Sequence, residues 1–450
     1  MSDADVIVMG MGPGGEEVAG RCTDGGLRVL GIERKLVGGE CPYWGCVPSK
    51  VMVRAADSLA EAARAIGLAG SLRIDPEWAK VAARVREFTA DWNDEAAVER
   101  HEAQGTKIVR GTARLRGPRS VEVDGTVFEA ERGVVVATGG EPAIPPIEGL
   151  SETPYWTNRG AIEATDVPGR LIVLGGGAIG LELAQVFHRF GADVTVVESA
   201  ARVLALEEPE NGEALGRVLS DEGITLRLGV KAERVSSVGD GVRVVLSDGS
   251  GVEGDRLLVA TGRRSDLEAI GVAAAGLDAS ARSIEVDDRM RAADGLWAVG
   301  DITGKGGFTH VATYQGRIAA ADILGQAHAP ADYSAVPRVT FTDPEVASVG
   351  LTEQQADDAG IQVRVGVSDT SYSTRGSIHG TNAEHGVIKL IADADRGVLV
   401  GGSIMSPAAG EMLGIVMLAV RAQVPIQTLK DLIYPYPTFI RGLESSLADL

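Results

Sequence analysis

The sequence predicts an α/β protein in which one strand, turn, helix and strand unit is built twice, followed by an α+β stretch of different composition. Three observations predict it. A short apolar run enters Gly10-Met11-Gly12-Pro13-Gly14-Gly15, and the same arrangement returns at Gly175-Gly176-Gly177-Ala178-Ile179-Gly180. From about Val336 the pattern changes, with Arg338-Val339-Thr340-Phe341-Thr342-Asp343-Pro344 opening the new stretch. A chain of 450 residues is long enough for several domains with their own cores.

In the first unit Asp5 to Met9 reads as a buried strand, a helix-compatible segment runs to Arg21, and Arg28 to Ile32 forms a second strand closing on Glu33. Glycines at that turn let a dinucleotide pyrophosphate reach the helix N-terminus, where the dipole and N–H groups favour anions, while the acid accepts from ribose hydroxyls. Gly10, Gly12, Gly14, Gly15 and Glu33 are therefore candidate cofactor residues. The second unit repeats them as Gly175, Gly177, Gly180 and Glu198, after the strand Leu171 to Leu174, a helix through Phe190 and the strand Asp193 to Val197. The repeat continues further along the chain. An antiparallel meander turning at Asp124-Gly125 leads through Val134 to Ala137 into Thr138-Gly139-Gly140, and one turning at Asp248-Gly249 leads through Leu257 to Ala260 into Thr261-Gly262-Arg263. Such a duplication implies two separate dinucleotides.

The stretch from Pro76 to Gln104 reads as an amphipathic helix, with Trp78, Val81, Val85, Phe88 and Trp92 at steps of three and four residues. A net charge of -20 argues against a nucleic-acid partner. No apolar run approaches the roughly 18 residues of a membrane span, and Asp3 and Asp5 stand where a signal peptide would be basic, so the protein is expected in the cytoplasm with no membrane partner. Three cysteines are no disulfide framework, and no second Cys or His pair accompanies them to complete a zinc site, so no metal is expected. Cys22, inside the first helix, reads as a packing residue.

The chemistry concentrates at Gly39-Glu40-Cys41-Pro42-Tyr43-Trp44-Gly45-Cys46-Val47-Pro48-Ser49-Lys50. In an ideal helix residues this far apart are separated by about 7.5 Å along the axis, more than the roughly 4.4 to 6.8 Å between Cα atoms in a disulfide. If the pair bridges, the backbone must be distorted, and Pro42, Gly45 and Pro48 permit that.

This stretch resembles the redox-active segment of the class I flavoprotein disulfide reductases, the pyridine nucleotide-disulfide oxidoreductases that include dihydrolipoamide dehydrogenase and mercuric reductase. The resemblance covers essentially the whole chain. It implies two Rossmann-like domains, the first binding FAD and the second NAD(P)H, and an α+β dimerisation domain giving a homodimer. The domains would run over residues 1–149 (FAD, first part), 150–268 (NAD(P)), 269–335 (FAD and central part) and 336–450 (interface). Cys46 would lie against the flavin and Cys41 would be the outward thiol, with Lys50 near the flavin and paired to Glu182. Asp301 would accept from the ribityl chain, and backbone N–H groups between Phe308 and Ala312 would face the flavin. Ala113, Thr138, Gly139, Gly262 and Ala312 complete the cofactor set. Glu198 favours NADH over NADPH, because a carboxylate repels a 2′-phosphate, although Arg202 lies close in sequence.

One departure bears on mechanism. Where relatives carry His-Pro-Thr followed by a glutamate, this chain has Tyr436-Pro437-Thr438-Phe439-Ile440-Arg441. A phenol with a pKa of about 10 is a poor base at neutral pH beside a histidine near 6.5. Tyr436 can still donate a proton or hydrogen bond to a reduced oxygen. The expectation is thus an oxidoreductase passing electrons from nicotinamide through flavin and Cys41–Cys46 to a disulfide or other small acceptor, with Tyr43, Trp44 and Tyr436 shaping the acceptor site. Direct quinone or dye reduction from flavin, and a catalytically impaired flavin-binding protein, are the alternatives. The chain ends without the cysteine pair that mercuric reductases carry there.

Overall fold

The computed structural model describes residues 2–371, 373–380 and 385–450. Contacts divide the chain into two compact units, one of Met1–Pro48, Arg84–Ala143 and Arg263–Asp332, the other of Ser49–Ala83, Ile144–Gly262 and Tyr333–Leu450.

The first unit is built on a sheet whose order runs Arg291–Ala293, Leu296–Ala298, Thr126–Val136, Ala4–Met9, Val29–Glu33 and Thr106–Arg110. From Leu296–Ala298 to Thr106–Arg110 each neighbouring pair is parallel. Val6, Ile7, Val8 and Met9 are fully buried, as strands covered on both faces must be. Ala113–Gly117, Ser120–Val123 and the start of Thr126–Val136 form the meander, with the Asp124-Gly125 turn at positive φ.

The second unit holds a four-stranded parallel sheet ordered Thr225–Leu228, Asp193–Glu198, Arg170–Leu174 and Arg256–Val259, and an antiparallel meander of Ala232–Val238, Gly241–Leu246 and Gly251–Gly254. It also holds a five-stranded antiparallel sheet ordered Pro337–Thr340, Glu345–Gly350, Val398–Ser406, Val387–Asp393 and Val363–Asp369. The apolar helix Ala409–Arg421 packs Met412, Leu413, Val416 and Val420 into that sheet's core. Leu418 stays exposed on the helix's other side.

The stretch from Pro76 to Gln104 is not one helix. Trp78–Phe88 and Glu95–Gln104 are separate, because Ala90, Asp91 and Trp92 all take positive φ. The side chains on either side explain the break. Trp92 Nε1 donates to the Tyr43 carbonyl at 3.2 Å, and the Asp94 carboxylate accepts from Val37 N at 2.6 Å, so the chain leaves its helical path to meet these partners. Trp78, Val81 and Val85 are buried as the periodicity requires, but Phe88 is exposed.

Candidate functional site

Two cradles of the same construction occupy the two units. Gly10 and Gly175 both take left-handed φ, +93° and +111°. A Cβ on either would overlap the carbonyl of the residue opposite, Ala137 or Ala260, and a Cβ on Gly15 or Gly180 would overlap the carbonyl of Gly10 or Gly175. Only glycine permits these approaches. The helices that follow, Pro13–Asp24 and Ala178–Arg189, start at Gly12 and Gly177 with no side chain capping the end, which leaves the first-turn N–H groups to an anion.

The acids close each cradle alike. Glu33 accepts from Met11 N at 2.9 Å and Lys35 N at 2.7 Å; Glu198 accepts from Gly176 N at 2.6 Å and Ala200 N at 2.7 Å. Arg202, close to Glu198 in sequence, instead donates to the carbonyls of Ala205 and Glu207 at 3.1 and 2.8 Å. In the first unit Thr138 Oγ1 is buried with no partner, next to Ala137, whose carbonyl abuts Gly10. An orphaned buried hydroxyl beside an uncapped helix end fits a polar cofactor. Asp301 opens the turn Asp301–Thr303 and receives Arg263 Nε at 3.3 Å. The fully buried Gln315, on the helix Thr309–Leu324 with Ala312, fixes that turn by accepting from Gly300 N at 2.6 Å and donating to Thr303 Oγ1 at 3.0 Å. Ala113 begins its strand, while Gly139 and Gly262 both take positive φ.

Cys41 lies in the short helix Glu40–Tyr43, and Cys46 starts the helix Cys46–Leu68. The interruption at Trp44 and Gly45 brings the thiols together: the hydrogen bond to Cys46 is the largest cause raising the Cys41 thiol above its ordinary range, with burial second. A Cβ on Gly45 would stand 3.0 Å from the Glu40 carbonyl, a tight approach that the backbone would have to ease. Thr309 Oγ1 lies 3.4 Å from Cys46 Sγ and also hydrogen-bonds Cys41, which works to lower its thiol. Cys46 is the more exposed of the pair. Tyr43 is only 6% exposed, so its ring belongs to the interior and not to an acceptor surface; Trp44 packs against it at 6.0 Å.

Lys50, one turn after Cys46 on the same helix, donates to Glu182 Oε2 at 2.6 Å, and Glu182 Oε1 accepts from Phe341 N at 2.9 Å. Tyr436 is 65% exposed. Its hydroxyl donates to Thr374 Oγ1 at 3.1 Å, and the Arg441 guanidinium lies 5.2 Å from its ring while pairing with Glu444 at 3.0 Å.

Sequence reading passed over Thr309, Gln315 and Phe341. Thr309 falls within the Phe308 to Ala312 stretch, which the resemblance implicates only through its backbone N–H groups. Nothing in the local pattern singles out Gln315 or Phe341, whose partners are distant in sequence.

The sequence profile of the pyridine nucleotide-disulphide oxidoreductases matches residues 4–316, and that of their dimerisation domain matches 336–446. The chain belongs to this family. Among relatives of this pyridine nucleotide-disulphide oxidoreductase, the dihydrolipoyl dehydrogenase of Thermus scotoductus is 35% identical, the alignment covering 98% of this chain and 96% of that one. The mercuric reductase of Staphylococcus aureus is 32% identical over 98% of this chain and 81% of its own length. Among solved structures, the HOCl-induced flavoprotein disulfide reductase RclA from Escherichia coli superposes with a TM-score of 0.86 at 27% identity, covering 99% of both chains. LpdA from Mycobacterium tuberculosis superposes with a TM-score of 0.86 at 27% identity, covering 98% of this chain and 99% of its own. As a flavoprotein disulfide reductase the chain is an enzyme that binds FAD and uses NAD(P)H, and it carries the family's dimerisation domain. No helix among the described residues is long and apolar enough to cross a membrane.

Proposed function

We propose that this oxidoreductase takes two electrons from NADH and delivers them through the Cys41–Cys46 pair to a small acceptor. The observation that carries the reading is the meeting of Cys41, Cys46 and Thr309 in one unit, on the helix that presents Lys50 one turn later. Bound FAD supplies the two-electron exchange between nicotinamide and sulfur. Gly10, Gly12, Gly14, Gly15, Glu33, Thr138 and Asp301 hold it, and Gly175, Gly177, Gly180 and Glu198 hold the nicotinamide coenzyme. Lys50 shares a helix face with Cys46 at a spacing of four residues. Its charge, fixed by Glu182, stabilises negative charge that develops beside it.

In the overall reaction NADH and one proton reduce the Cys41–Cys46 disulfide to two thiols, which are reoxidised as the acceptor takes up the two electrons and two protons. By resemblance Cys46 faces the cofactor and Cys41 the acceptor. The Thr309 hydroxyl, within reach of both sulfurs, can pass a hydrogen bond between them. NADH is the coenzyme because Glu198 places a carboxylate at the strand end where the ribose would bind, and Arg202, which could have offset it, turns its Nη2 to the carbonyls of Ala205 and Glu207. A homodimer forms through the C-terminal domain, where Leu418, Leu432 and the 98% exposed Ile433 lie uncovered.

Tyr436 favours a second reading. A phenol held by Thr374 and flanked by Arg441 suits donation to a reduced oxygen, as in a quinone, better than deprotonation of a dithiol. Serine at Cys41 and Cys46 separates the two. NADH-dependent turnover of disulfides and quinones by the double variant, undiminished, would exclude the thiol route, while loss of turnover with intact flavin reduction supports it.

A further inference from the structure

The Lys50 ammonium has three N–H donors to satisfy while its side chain is 35% exposed. One goes to Glu182 Oε2 at 2.6 Å and a second reaches Ser49 Oγ at 3.4 Å. Nζ also stands over the Phe341 ring, whose centroid lies 4.6 Å away. The same residue's backbone N–H donates to Glu182 Oε1 at 2.9 Å. Phe341 therefore touches both members of the ion pair, the cation through its ring and the anion through its amide.

Phe341 is itself held firmly. It follows the strand Pro337–Thr340, and two residues later Asp343 is clamped by Gln185, which accepts from Asp343 N at 2.8 Å and donates to Asp343 O at 3.0 Å. Arg189 and Arg64 each reach Asp343 Oδ2 at 3.0 Å. Glu182, Gln185 and Arg189 recur at steps of three and four along Ala178–Arg189, so one helix face grips the segment from Phe341 to Asp343 along its length.

We propose that Phe341 is a positioning residue for the reaction: its ring face holds the Lys50 ammonium in the orientation that Glu182 defines. A cation above an aromatic face is attracted by the ring quadrupole, and the attraction grows where water is excluded. Glu182 alone would fix the nitrogen's distance but leave the long side chain free to swing about that contact. The ring removes this freedom. The inference rests on the reading that Lys50 serves the flavin reaction.

The test uses the FAD-loaded protein with 3,4,5-trifluorophenylalanine at position 341, which keeps the ring's outline and the backbone N–H but weakens the negative face. Phe341→Leu and Lys50→Met accompany it. Two quantities are read: hydrogen exchange of the Lys50 ammonium by nitrogen-15 NMR, and the single-turnover rate of flavin reduction by NADH. The fluorinated ring is expected to quicken exchange about three- to tenfold and to slow reduction by a similar factor. Phe341→Leu should go further in the same direction, and the fluorinated ring should have no effect on reduction in the Lys50→Met background. Unchanged exchange, or quickened exchange with unaltered reduction, overturns the inference while Lys50 keeps its role. A Lys50→Met protein that reduces its flavin as fast as the parent overturns that role, and the inference with it.

Discussion

Glu33 and Glu198 each use one carboxylate oxygen to hold the backbone N–H of the residue after the first glycine of a phosphate turn, and the other to hold the N–H two residues further along their own strand end. Each carboxylate is thus oriented by two backbone N–H groups, which aim its remaining lone pairs. Glu198→Ser should lower kcat/KM for NADH by roughly ten- to a hundredfold, the scale of a lost hydrogen bond to a charged group, and lower that for NADPH much less. Steady-state kinetics with both coenzymes check it. A parent protein already preferring NADPH would refute the coenzyme assignment.

Lys389 is 3% exposed and meets Glu208, Glu210 and Glu353 at 2.8, 2.9 and 2.6 Å. Burial works against its charge, but the hydrogen bonds to Glu208, Glu353 and Glu210 more than offset it and hold its pKa above the usual lysine range. Lys389→Met leaves Glu208, also 3% exposed, without its cation. Stability in urea should fall by about 3 to 5 kcal/mol, as when one partner is removed from a buried pair. A loss below about 1 kcal/mol would show that water reaches the cluster.

Around Arg189 stand the carboxylates of Asp57, Glu222 and Asp343, with Arg64 as the second cation. Acids thus outnumber bases. Burial first, and the Asp343 charge second, push the Asp57 carboxyl from 3.8 up to about 6, against the pull of Arg189. A raised folded value means that the folded chain binds this proton more tightly than the unfolded chain. The proton's contribution is therefore largest below about pH 4 and is lost as pH rises through about 6. Asp57→Asn should stabilise the protein at pH 7 relative to its parent, with the difference closing toward pH 4. Thermal melts across that range that stay parallel would contradict it.

Cys22 is fully buried, and burial pushes its thiol up to about 12. After reduction of the folded protein, iodoacetamide at neutral pH should modify the Cys41–Cys46 pair and spare Cys22 until the chain is unfolded. Peptide mass spectrometry decides the matter. Labelling of Cys22 at a comparable rate would mean that the first helix opens.

The two cradles were legible because their requirements are local: a glycine where Gly10 or Gly175 must take positive φ, and an acid at the next strand's end. The Asp124-Gly125 and Asp248-Gly249 hairpins were legible for the same reason. Trp92 misled, because its apolar spacing continues the helix of Trp78 and Val85, while the hydrogen bond to Tyr43 that breaks the helix comes from a residue far earlier in the chain. Tyr43, read as lining an acceptor surface, is interior; adjacency to Cys41 carries no information about which side of the backbone a ring occupies.

By itself the sequence determined which residues can form a phosphate-binding turn, where two thiols stand in the chain and that Tyr436 precedes Pro437-Thr438. Tertiary structure alone decided that Thr309 meets both sulfurs and that Lys50 stands over the Phe341 ring. The physical reason is one of range. Backbone conformation and helix ends follow from neighbouring residues, whereas a charge is oriented by whatever side chain the fold carries into contact with it.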